Sequence, residues 1–274
     1  MELLDGVKIK NIILDKLKNK VENLDLSLAV IKVGNDKSSE VYLRQKEKMC
    51  KYLNIKFKEY IFDNDAKEED IINLIKKLNK DKTTGIFVEM PLPKHLNELK
   101  IINTIDYRKD VDGLTKINVA NLVLNDKGLI PCTPKGIITL LDYYNIDLDG
   151  KNVTILGRSN VVGKPLSTLL LNRNATVCIC HSKTKNIKDY SLGADIVISA
   201  LGKPKFVTKD LLKKGCIVVD VGISLVKNEI FGDVDFENVK NKVSYITPVP
   251  GGVGPMTIAS LALNIYEAYL LQKD

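Results

Sequence analysis

Tyr42 and Lys46 are the first residues whose types and spacing suggest chemistry. They lie four residues apart in SSEVYLRQKEKMCKYL, whose periodicity predicts a helix over Ser38–Leu53, so their side chains share one face. Burial disfavours an ammonium ion, so a lysine in a pocket can transfer protons near neutral pH, with the tyrosine stacking on a planar ligand beside it. A surface pair is the commoner outcome of this spacing, and the neighbouring segments must decide between the two.

Two carboxylates flank Val111 in the segment YRKDVDGL. In an extended backbone, the side chains of Asp110 and Asp112 point the same way. Such a carboxylate can accept a pair of hydrogen bonds from an amino-substituted heterocycle, although Asp112-Gly113 is also a common solvated turn. The predicted strand that ends at Glu89–Pro93 would open on the crevice that strand ends share in an open α/β sheet.

The stretch from 151 to 171 has the order of a phosphate-binding turn. It reads as a short strand (Asn152–Leu156), a turn of small residues (Gly157–Gly163) and the start of an amphipathic helix, whose free N–H groups and positive dipole end attract anions. It departs from G-x-G-x-x-G, because Ser159 stands at the second glycine and the third glycine comes two residues late. The pattern alone leaves a nucleotide site and an ordinary strand-to-helix loop equally open.

The residues after the next strands indicate which cofactor such a turn would bind. An acid at the end of the second strand selects the free ribose hydroxyl of NAD, whereas this chain has Ser182 with Arg158 and Lys183 nearby. Positive charge and a hydroxyl suit a 2′-phosphate, so the sequence favours NADP over NAD. Gly202 and Gly222 follow the third and fourth strands, where they either let the backbone approach the cofactor or simply end the strands.

The composition of a further loop, TPVPGGVGPMT over 247–257, argues against a plain linker. Its three prolines fix φ and its three glycines free it. The composition therefore predicts a loop with a defined shape.

Strands and helices alternate along the chain, which predicts an α/β fold with right-handed crossovers and mainly parallel sheets. We expect a three-layer α/β first domain over 1–118, a Rossmann-like second domain over 119–252, and a final helix over 253–274 that packs back on the first. The predicted strands are Leu26–Val33, Lys56–Phe62, Gly85–Met90, Asn152–Leu156, Ala175–Cys180, Asp195–Leu201 and Cys216–Val221. The predicted helices are Gly6–Asn23, Ser38–Leu53, Glu68–Asn79, Asn97–Ile105, one that starts at Thr133 and Pro134, Pro165–Leu171 and Val253–Leu271.

Composition and charge narrow the function classes. The 274 residues are 45% hydrophobic and 27% charged, as in ordinary globular proteins, and no apolar run reaches the roughly 20 residues that cross a bilayer. The start MELLDGVKIK lacks the form of a signal peptide, so we expect a cytoplasmic protein without a membrane partner. The net charge of +7 comes from lysines scattered among acids, which favours solvated helix faces over a nucleic-acid surface.

The five cysteines predict reduced core thiols rather than disulfides or a metal site. Their number is odd and most lie in apolar strand-like runs. In ATVCICH the alternation puts Cys178 and Cys180 on one strand face, with His181 following and no second ligand pair nearby. Tetrahedral zinc sites use ligands at turn-like spacing, so we predict no metal.

Nine blocks of the sequence together resemble one known family. YLRQK, GIFVEMPLPKH, KDVDGL, PCTPKGI, GRSNVVGKP, HSKT, DVGI, GDVDF and TPVPGGVGPMT follow the order and spacing of the methylenetetrahydrofolate dehydrogenase/cyclohydrolase family over nearly the entire chain. The resemblance implies a folate domain and an NADP domain facing one cleft, usually in a homodimer. It also implies NADP-dependent oxidation of 5,10-methylenetetrahydrofolate, followed by hydrolysis of the methenyl product to 10-formyltetrahydrofolate.

The resemblance also implies roles for individual residues. Lys46 corresponds to the family's catalytic lysine, Tyr42 to its pterin-side tyrosine, and Asp112 to the carboxylate that grips the pterin. The residues implied to lie along the p-aminobenzoyl part of the folate are Pro250, Gly251 and Gly252. The residues implied to bind the cofactor are Gly157, Arg158, Ser159, Gly163, Ser182, Gly202, Gly222 and Ile223, with Arg158, Ser159 and Ser182 on the NADP phosphate.

Glu89 departs from the family pattern, which has glutamine at this position, hydrogen-bonded to the catalytic lysine. A nearby carboxylate stabilises the ammonium form of Lys46 and makes it a poorer base for the water that attacks the methenyl carbon. We therefore expect dehydrogenase activity with weak or absent cyclohydrolase activity. If Glu89 is protonated or turned away, both activities persist.

Two other functions remain open on the sequence. One is a different two-domain NADP-dependent oxidoreductase that acts on an amino or hydroxy acid through the same lysine and aspartate. The other is a catalytically inactive folate-binding or nucleotide-binding protein, which the presence of Lys46, Tyr42 and Asp112 argues against.

Overall fold

The computed structural model describes residues 1–34, 37–226 and 229–273. Within these residues it has eleven strands and ten α-helices, together with a 3-10 turn over Lys209–Leu211. The strands are β1 (Glu2–Leu3), β2 (Ser27–Val33), β3 (Lys56–Phe62), β4 (Gly85–Val88), β5 (Asn152–Leu156), β6 (Thr176–Cys180), β7 (Ile196–Ser199), β8 (Ile217–Asp220), β9 (Ser224–Val226), β10 (Glu229–Phe231) and β11 (Tyr245–Ile246). The helices are α1 (Gly6–Val21), α2 (Lys37–Tyr52), α3 (Glu68–Lys80), α4 (Glu98–Ile102), α5 (Lys116–Leu124), α6 (Cys132–Tyr143), α7 (Gly163–Leu171), α8 (Lys188–Ser191), α9 (Phe236–Val239) and α10 (Val253–Leu271).

The chain divides into two compact units, which we call unit A and unit B. Unit A comprises Ile12–Cys132 and Ile258–Asp274, and unit B comprises Met1–Asn11 and Thr133–Thr257. These limits differ from the predicted 1–118 and 119–252, because β1 pairs with β11 in unit B and Leu129 packs in the core of unit A. The predicted limits remain a prediction about the functional domains.

Unit A is a three-layer α/β structure. Its parallel sheet has the order β3-β2-β4, and neighbouring residues of β2 alternate between two cores. Leu28 and Val30 face a cluster with residues of α1, α2 and α10, whereas Ala29 and Ile31 face a cluster with residues of α3 and α4. The predicted three layers and the return of the C-terminal helix to the first domain are confirmed.

Unit B is built on a six-stranded parallel sheet in the order β1-β11-β8-β7-β5-β6. From β6 to β11 this is the 2-1-3-4-5 order of doubly wound folds, with β5 and β7 adjacent at the point where the winding direction reverses. Ligands of such sheets bind outside the carboxyl ends of the strands at that point. In unit B these ends carry the turn after β5 and the loop after β7. Strands β9 and β10 form a separate antiparallel hairpin.

Most predicted elements are present, several with the predicted limits, and a few elements were not predicted. β3, β5 and α10 have the predicted limits, whereas α5 was not predicted. Thr115 caps α5 by accepting a hydrogen bond from the Asn118 N–H, and Asn125 ends the helix with φ of 54°. The two-residue strands β1 and β11 are too short to show a periodicity.

The five cysteines are free thiols, and four of them are buried. Within the residues that the structure describes, no three histidine, cysteine, aspartate or glutamate side chains form a group suited to a metal ion. None of the described helices is both long enough and apolar enough to span a membrane.

Candidate active site

Lys46 lies on the buried face of α2 in unit A. Only 5% of its surface is exposed, and its ammonium lies 4.0 Å from the centre of the Phe87 ring. Tyr42, one helical turn earlier, is half-buried and packs against the same core cluster, which raises the pKa of its hydroxyl. The pair therefore lies at a buried face, and the alternative of a surface pair is wrong.

Glu89 follows β4 and forms an ion pair with Lys46. Its N–H donates to the Ile31 carbonyl at 2.8 Å, which continues the pairing of β2 with β4 by one residue and fixes the direction of the side chain. The carboxylate is 8% exposed, so little water screens it from the ammonium. Glu89 thus faces Lys46 rather than turning away from it.

Asp110 and Asp112 differ in surroundings, and the prediction of an extended backbone there is wrong. The chain turns at Val111 and Asp112, and Gly113 has φ of +69°, where a Cβ would come within 2.6 Å of backbone atoms. The buried Asp110 carboxylate accepts hydrogen bonds from the Thr115 N–H at 2.7 Å and from the side chain of Asn118 at 2.9 Å. Asp110 therefore holds the start of α5, and its burial raises its pKa against these hydrogen bonds.

Asp112 is a second carboxyl group in the electrostatic environment of Lys46, beside Glu89. Burial raises its pKa to about 7, and the charges of Asp110 and Glu89 act in the same direction. The Lys46 ammonium and a hydrogen bond from the Cys132 thiol oppose that rise. Near neutral pH, Asp112 can therefore either accept or donate a hydrogen bond.

The turn that carries Asp112 is braced from α10. The side-chain amide of Asn264, which is fully buried, donates to the carbonyls of Val111 and Ile130 at 2.8 Å each, and the Cys132 thiol donates to Val111 at 3.2 Å. Neither Asn264 nor Cys132 was predicted to support the turn that carries Asp112. A buried asparagine in the otherwise apolar run LALNIYEAYLL was the available signal.

In unit B, the turn after β5 is shaped by close backbone contacts. The Gly157 N–H donates to the Cys180 carbonyl at 2.9 Å, and a Cβ on Gly163 would lie 2.2 Å from the Gly157 oxygen. The Ser159 hydroxyl accepts hydrogen bonds from the N–H groups of Val162, at 3.1 Å, and Gly163, at 3.4 Å. The serine that replaces the second glycine thus organises the turn from within.

The predicted phosphate-binding side chains of unit B are exposed. Arg158 and Ser159 lie in the turn after β5, and Ser182 lies in the loop after β6. That loop is held by the His181 N–H, which donates to the Thr184 hydroxyl at 2.9 Å, and a cavity of about 450 Å³ lies beside it. Because the turn and the end of β6 are hydrogen-bonded to each other, the three predicted residues extend from neighbouring strand ends.

Glycine is favoured at positions 202 and 222 for different structural reasons. Gly202 has φ of +63° with open space where a Cβ would lie, so the backbone conformation alone favours glycine. At Gly222 a Cβ would lie 2.1 Å from the carboxyl group of Asp233, which accepts hydrogen bonds from the N–H groups of Leu201, at 2.6 Å, and Lys203, at 2.7 Å. Asp233, which the sequence analysis missed, thus fixes the loop after β7.

Asp220, at the end of β8, supports Asp233 in turn. Its carboxylate accepts hydrogen bonds from the N–H groups of Asp233 and Val234 at 2.9 Å each, while burial raises its pKa to about 7. Ile223, the last predicted cofactor residue, is 46% exposed beyond these contacts.

The loop with Pro250, Gly251 and Gly252 is tightly packed, as its composition predicts. Gly251 has φ of +111° and accepts a hydrogen bond from the Val7 N–H at 3.2 Å, and a Cβ on Gly6 would lie 1.8 Å from the Gly252 oxygen. The loop belongs to unit B, whereas the lysine site belongs to unit A.

Fold and site define a class of protein, namely a two-unit α/β protein with a doubly wound nucleotide-binding type of sheet and a buried lysine and carboxylate site. Comparison with known proteins identifies the class more closely. Residues 4–112 match the model of the tetrahydrofolate dehydrogenase/cyclohydrolase catalytic domain, and residues 131–273 match that of its NAD(P)-binding domain. The chain belongs to the tetrahydrofolate dehydrogenase/cyclohydrolase family.

Individual relatives are similar over their full length. The bifunctional protein FolD of Clostridium novyi is 49% identical over 271 residues, which cover 96% of this chain and 98% of the relative. The structure of the Campylobacter jejuni bifunctional methylenetetrahydrofolate dehydrogenase/cyclohydrolase has a TM-score of 0.96 at 44% identity, covering 99% of each chain. The Trypanosoma brucei enzyme, whose structure was solved with NADP and an inhibitor, has a TM-score of 0.94 at 31% identity, covering 98% of this chain and 97% of that one. The predicted family, fold class, enzyme class and type of cofactor are thereby confirmed.

Proposed function

We propose that this protein oxidises 5,10-methylenetetrahydrofolate to 5,10-methenyltetrahydrofolate with NADP, and that it hydrolyses the methenyl product only weakly. Family membership supports the two reactions. The observation that carries the imbalance between them is the buried ion pair of Lys46 with Glu89. Family membership also supports the roles of the individual residues.

Unit A binds the folate. Asp112 in its ionised form accepts a pair of hydrogen bonds from the amino-substituted pterin, and Tyr42 contacts the planar ring system. The brace from Asn264 keeps the Asp112 turn in place, so little ordering is needed when the substrate binds. For Pro250, Gly251 and Gly252, which lie in unit B, contact with the p-aminobenzoyl part stays a prediction from the family resemblance.

Unit B binds the cofactor, and its residues fit NADP. Gly157 and Gly163 keep the turn free of side chains, as close approach of a pyrophosphate requires, and Arg158, Ser159 and Ser182 provide charge and hydroxyls for the 2′-phosphate. The loop after β6 reads HSKT and lacks the acid that selects NAD. When bound, NADP supplies the acceptor for the hydride that leaves the methylene carbon.

Hydrolysis makes a different demand, since the attacking water must lose a proton. Lys46 in its neutral form is the base, and Glu89 opposes that form because its carboxylate stabilises the ammonium. Oxidation needs no such base, so it proceeds while hydrolysis is slow. The methenyl product would then leave for another enzyme.

One spectrophotometric assay tests this proposal. Methenyl formation is followed with NADP and with NAD separately, and its decay is then followed in the wild type and in Glu89→Gln. We expect oxidation with NADP in both proteins and faster decay in the variant, by about tenfold. Equal decay rates would contradict the role of Glu89, and no oxidation at all would favour an inactive folate-binding protein.

We also propose a cytoplasmic homodimer that binds neither nucleic acid nor membrane. The hairpin of β9 and β10 exposes Leu225 by 66% and Ile230 by 44%, next to the exposed Ile223, and such apolar surface suits a second copy of the chain. The five free thiols suit a reducing compartment. Light scattering on the wild type and on Leu225→Ser with Ile230→Ser tests the dimer, which is ruled out if the wild type is a monomer.

A further inference from the structure

A second buried lysine lies on the same face of the sheet in unit A as the Lys46 site. Lys32 is in β2 and is 5% exposed, although lysine is rarely buried unless it is paired. Side chains alternate along a strand, so Lys32 continues the face of Leu28 and Val30, which pack in the cluster with α2. Its backbone belongs to the ladder with β3, but among the residues that the structure describes the Lys32 side chain has no hydrogen bond or ion pair.

The strand register puts Lys32 beside Glu89. Ile31 pairs with Val88, and the hydrogen bond from Glu89 to Ile31 continues the ladder, so Lys32 and Glu89 are the next pair on neighbouring strands about 4.8 Å apart. Their side chains share a face, because Phe87, two residues before Glu89, packs on the same cluster as Val30. Lys32 thus lies on the same face of the sheet as Glu89, whereas the ion pair of Glu89 is formed with Lys46.

A further carboxylate lies on the opposite side of β2. Val30 pairs with Glu59 of β3, and Glu59 shares the face of Phe57, which packs on the same cluster. The Oε1 atom of Glu59 is buried without a hydrogen-bond partner among the described residues. On this face of the sheet Glu59 therefore lies diagonal to Lys32, which itself pairs with Ile61, and Glu89 lies directly beside Lys32 on the other side.

We infer that Lys32 is a positioning residue that balances the charge of Glu89 and so partly restores Lys46 as a base. A positive charge beside Lys46 disfavours a second ammonium there, while Glu89 favours it. With both present, the field at Lys46 is closer to that of a neutral glutamine than Glu89 alone would make it. This inference rests on the proposed function, in which Lys46 is the base of methenyl hydrolysis.

A cycle of unfolding measurements tests the charge balance without any substrate. The variants are Lys32→Gln, Glu89→Gln and the double variant, measured by denaturant unfolding. We expect Lys32→Gln to destabilise the wild type but to stabilise Glu89→Gln, because each single change leaves a buried charge unbalanced. Additive effects would overturn the inference.

A matched control separates this effect from the general loss of a buried lysine. Lys109 is also 5% exposed, and its ammonium donates to the carbonyls of Leu78, at 2.9 Å, and Asp81, at 2.8 Å. Lys109→Gln should destabilise the wild type and Glu89→Gln equally. A sign change for Lys109 like that for Lys32 would also overturn the inference.

A kinetic measurement then tests the effect on Lys46. We expect Lys32→Gln to lower the kcat of methenyl hydrolysis about tenfold, while the kcat of oxidation and the KM for folate stay within about twofold. Lys32→Arg should keep the wild-type ratio, because it keeps the charge. An unchanged ratio in Lys32→Gln would overturn the inference, whereas absence of both activities in the wild type, with coupling intact in the unfolding cycle, would overturn only the proposed function.

Discussion

Unit A and unit B prepare for their ligands by different physical means. The site in unit A consists of charged side chains taken out of water, where Lys46 and Glu89 form an ion pair and their charges act on the pKa of Asp112. The turn in unit B consists of backbone, shaped at Gly157 and Gly163 by contacts that leave no room for a Cβ. A site made of charges is sensitive to single charge changes and to pH, whereas a site made of backbone is sensitive to added volume.

The largest effect is expected at Lys46, the proposed base in the charged site of unit A. Changing Lys46→Met alone would leave Glu89 buried and unpaired, so the change is made together with Glu89→Gln. We expect methenyl hydrolysis to fall by about 10² to 10⁴ relative to Glu89→Gln, the usual contribution of a general base. Stopped-flow decay of methenyl absorbance measures it, and a loss of less than threefold would show that Lys46 is not the base.

Asp220 is a buried carboxyl group of unit B, and its shifted pKa predicts a pH-dependent effect on the free energy of unfolding. Its pKa rises from 3.8 to about 7 on folding, and each unit corresponds to about 1.4 kcal/mol, so its ionisation opposes folding by up to about 4 kcal/mol. The unfolded chain releases this proton first, so the free energy of unfolding should fall as pH rises from about 4 to 7 and then level off. Urea unfolding of the wild type and Asp220→Asn across this range measures the contribution.

The difference between the two proteins is the informative quantity, because other groups titrate in both. We expect the wild type to lose more stability than Asp220→Asn over that pH range. Parallel curves would show that the Asp220 carboxylate is stabilised by the N–H groups of Asp233 and Val234 after all.

Gly163 tests the backbone site of unit B. In Gly163→Ala the new Cβ would lie 2.2 Å from the Gly157 oxygen, so the turn must shift by about an ångström. We expect NADP affinity to fall by about 10²-fold with folate binding unchanged, as misplaced positioning groups usually do. Gly193→Ala is the matched control, since its Cβ meets no atom within 4 Å, and isothermal titration compares the two. Equal affinity in both variants would show that the shape of the turn is not decisive.

The sequence predicted the backbone site better than the charged one, for a physical reason. A turn between a strand and a helix leaves a local pattern, and the limits of β5 and the start of α7 followed from it within two residues. The contacts of Lys46 with Glu89 and Phe87 join segments more than forty residues apart. The family resemblance pointed to the contact with Glu89, and the contact with Phe87 was not predicted.

The supports of both sites were missed for the same reason. Asn264 donates a hydrogen bond to a turn 153 residues away. Asp233 accepts hydrogen bonds from backbone N–H groups of the loop after β7, and such groups leave no signal in the sequence because almost every residue has one. The register that puts Lys32 beside Glu89 likewise appears only once β2 and β4 are paired. Local patterns predict elements, whereas the pairing of elements determines which charges meet.

Asp112 gives the smallest effect and the finest test of the charged site. Its pKa of about 7 means that it loses its proton within the physiological range, and the ionised form is the one that accepts two hydrogen bonds from a pterin. We therefore expect folate affinity to weaken as pH falls from 8 to 6, by about tenfold below the pKa for each unit of pH. Asp112→Asn should bind more weakly and show no such dependence.

Direct titration of folate into both proteins at several pH values separates this carboxyl group from the lysine. A pH dependence that persists in Asp112→Asn would assign the titration to another group. Binding that strengthens as pH falls would mean that the protonated carboxyl group donates to the pterin instead. In either case the charged site of unit A would respond to pH.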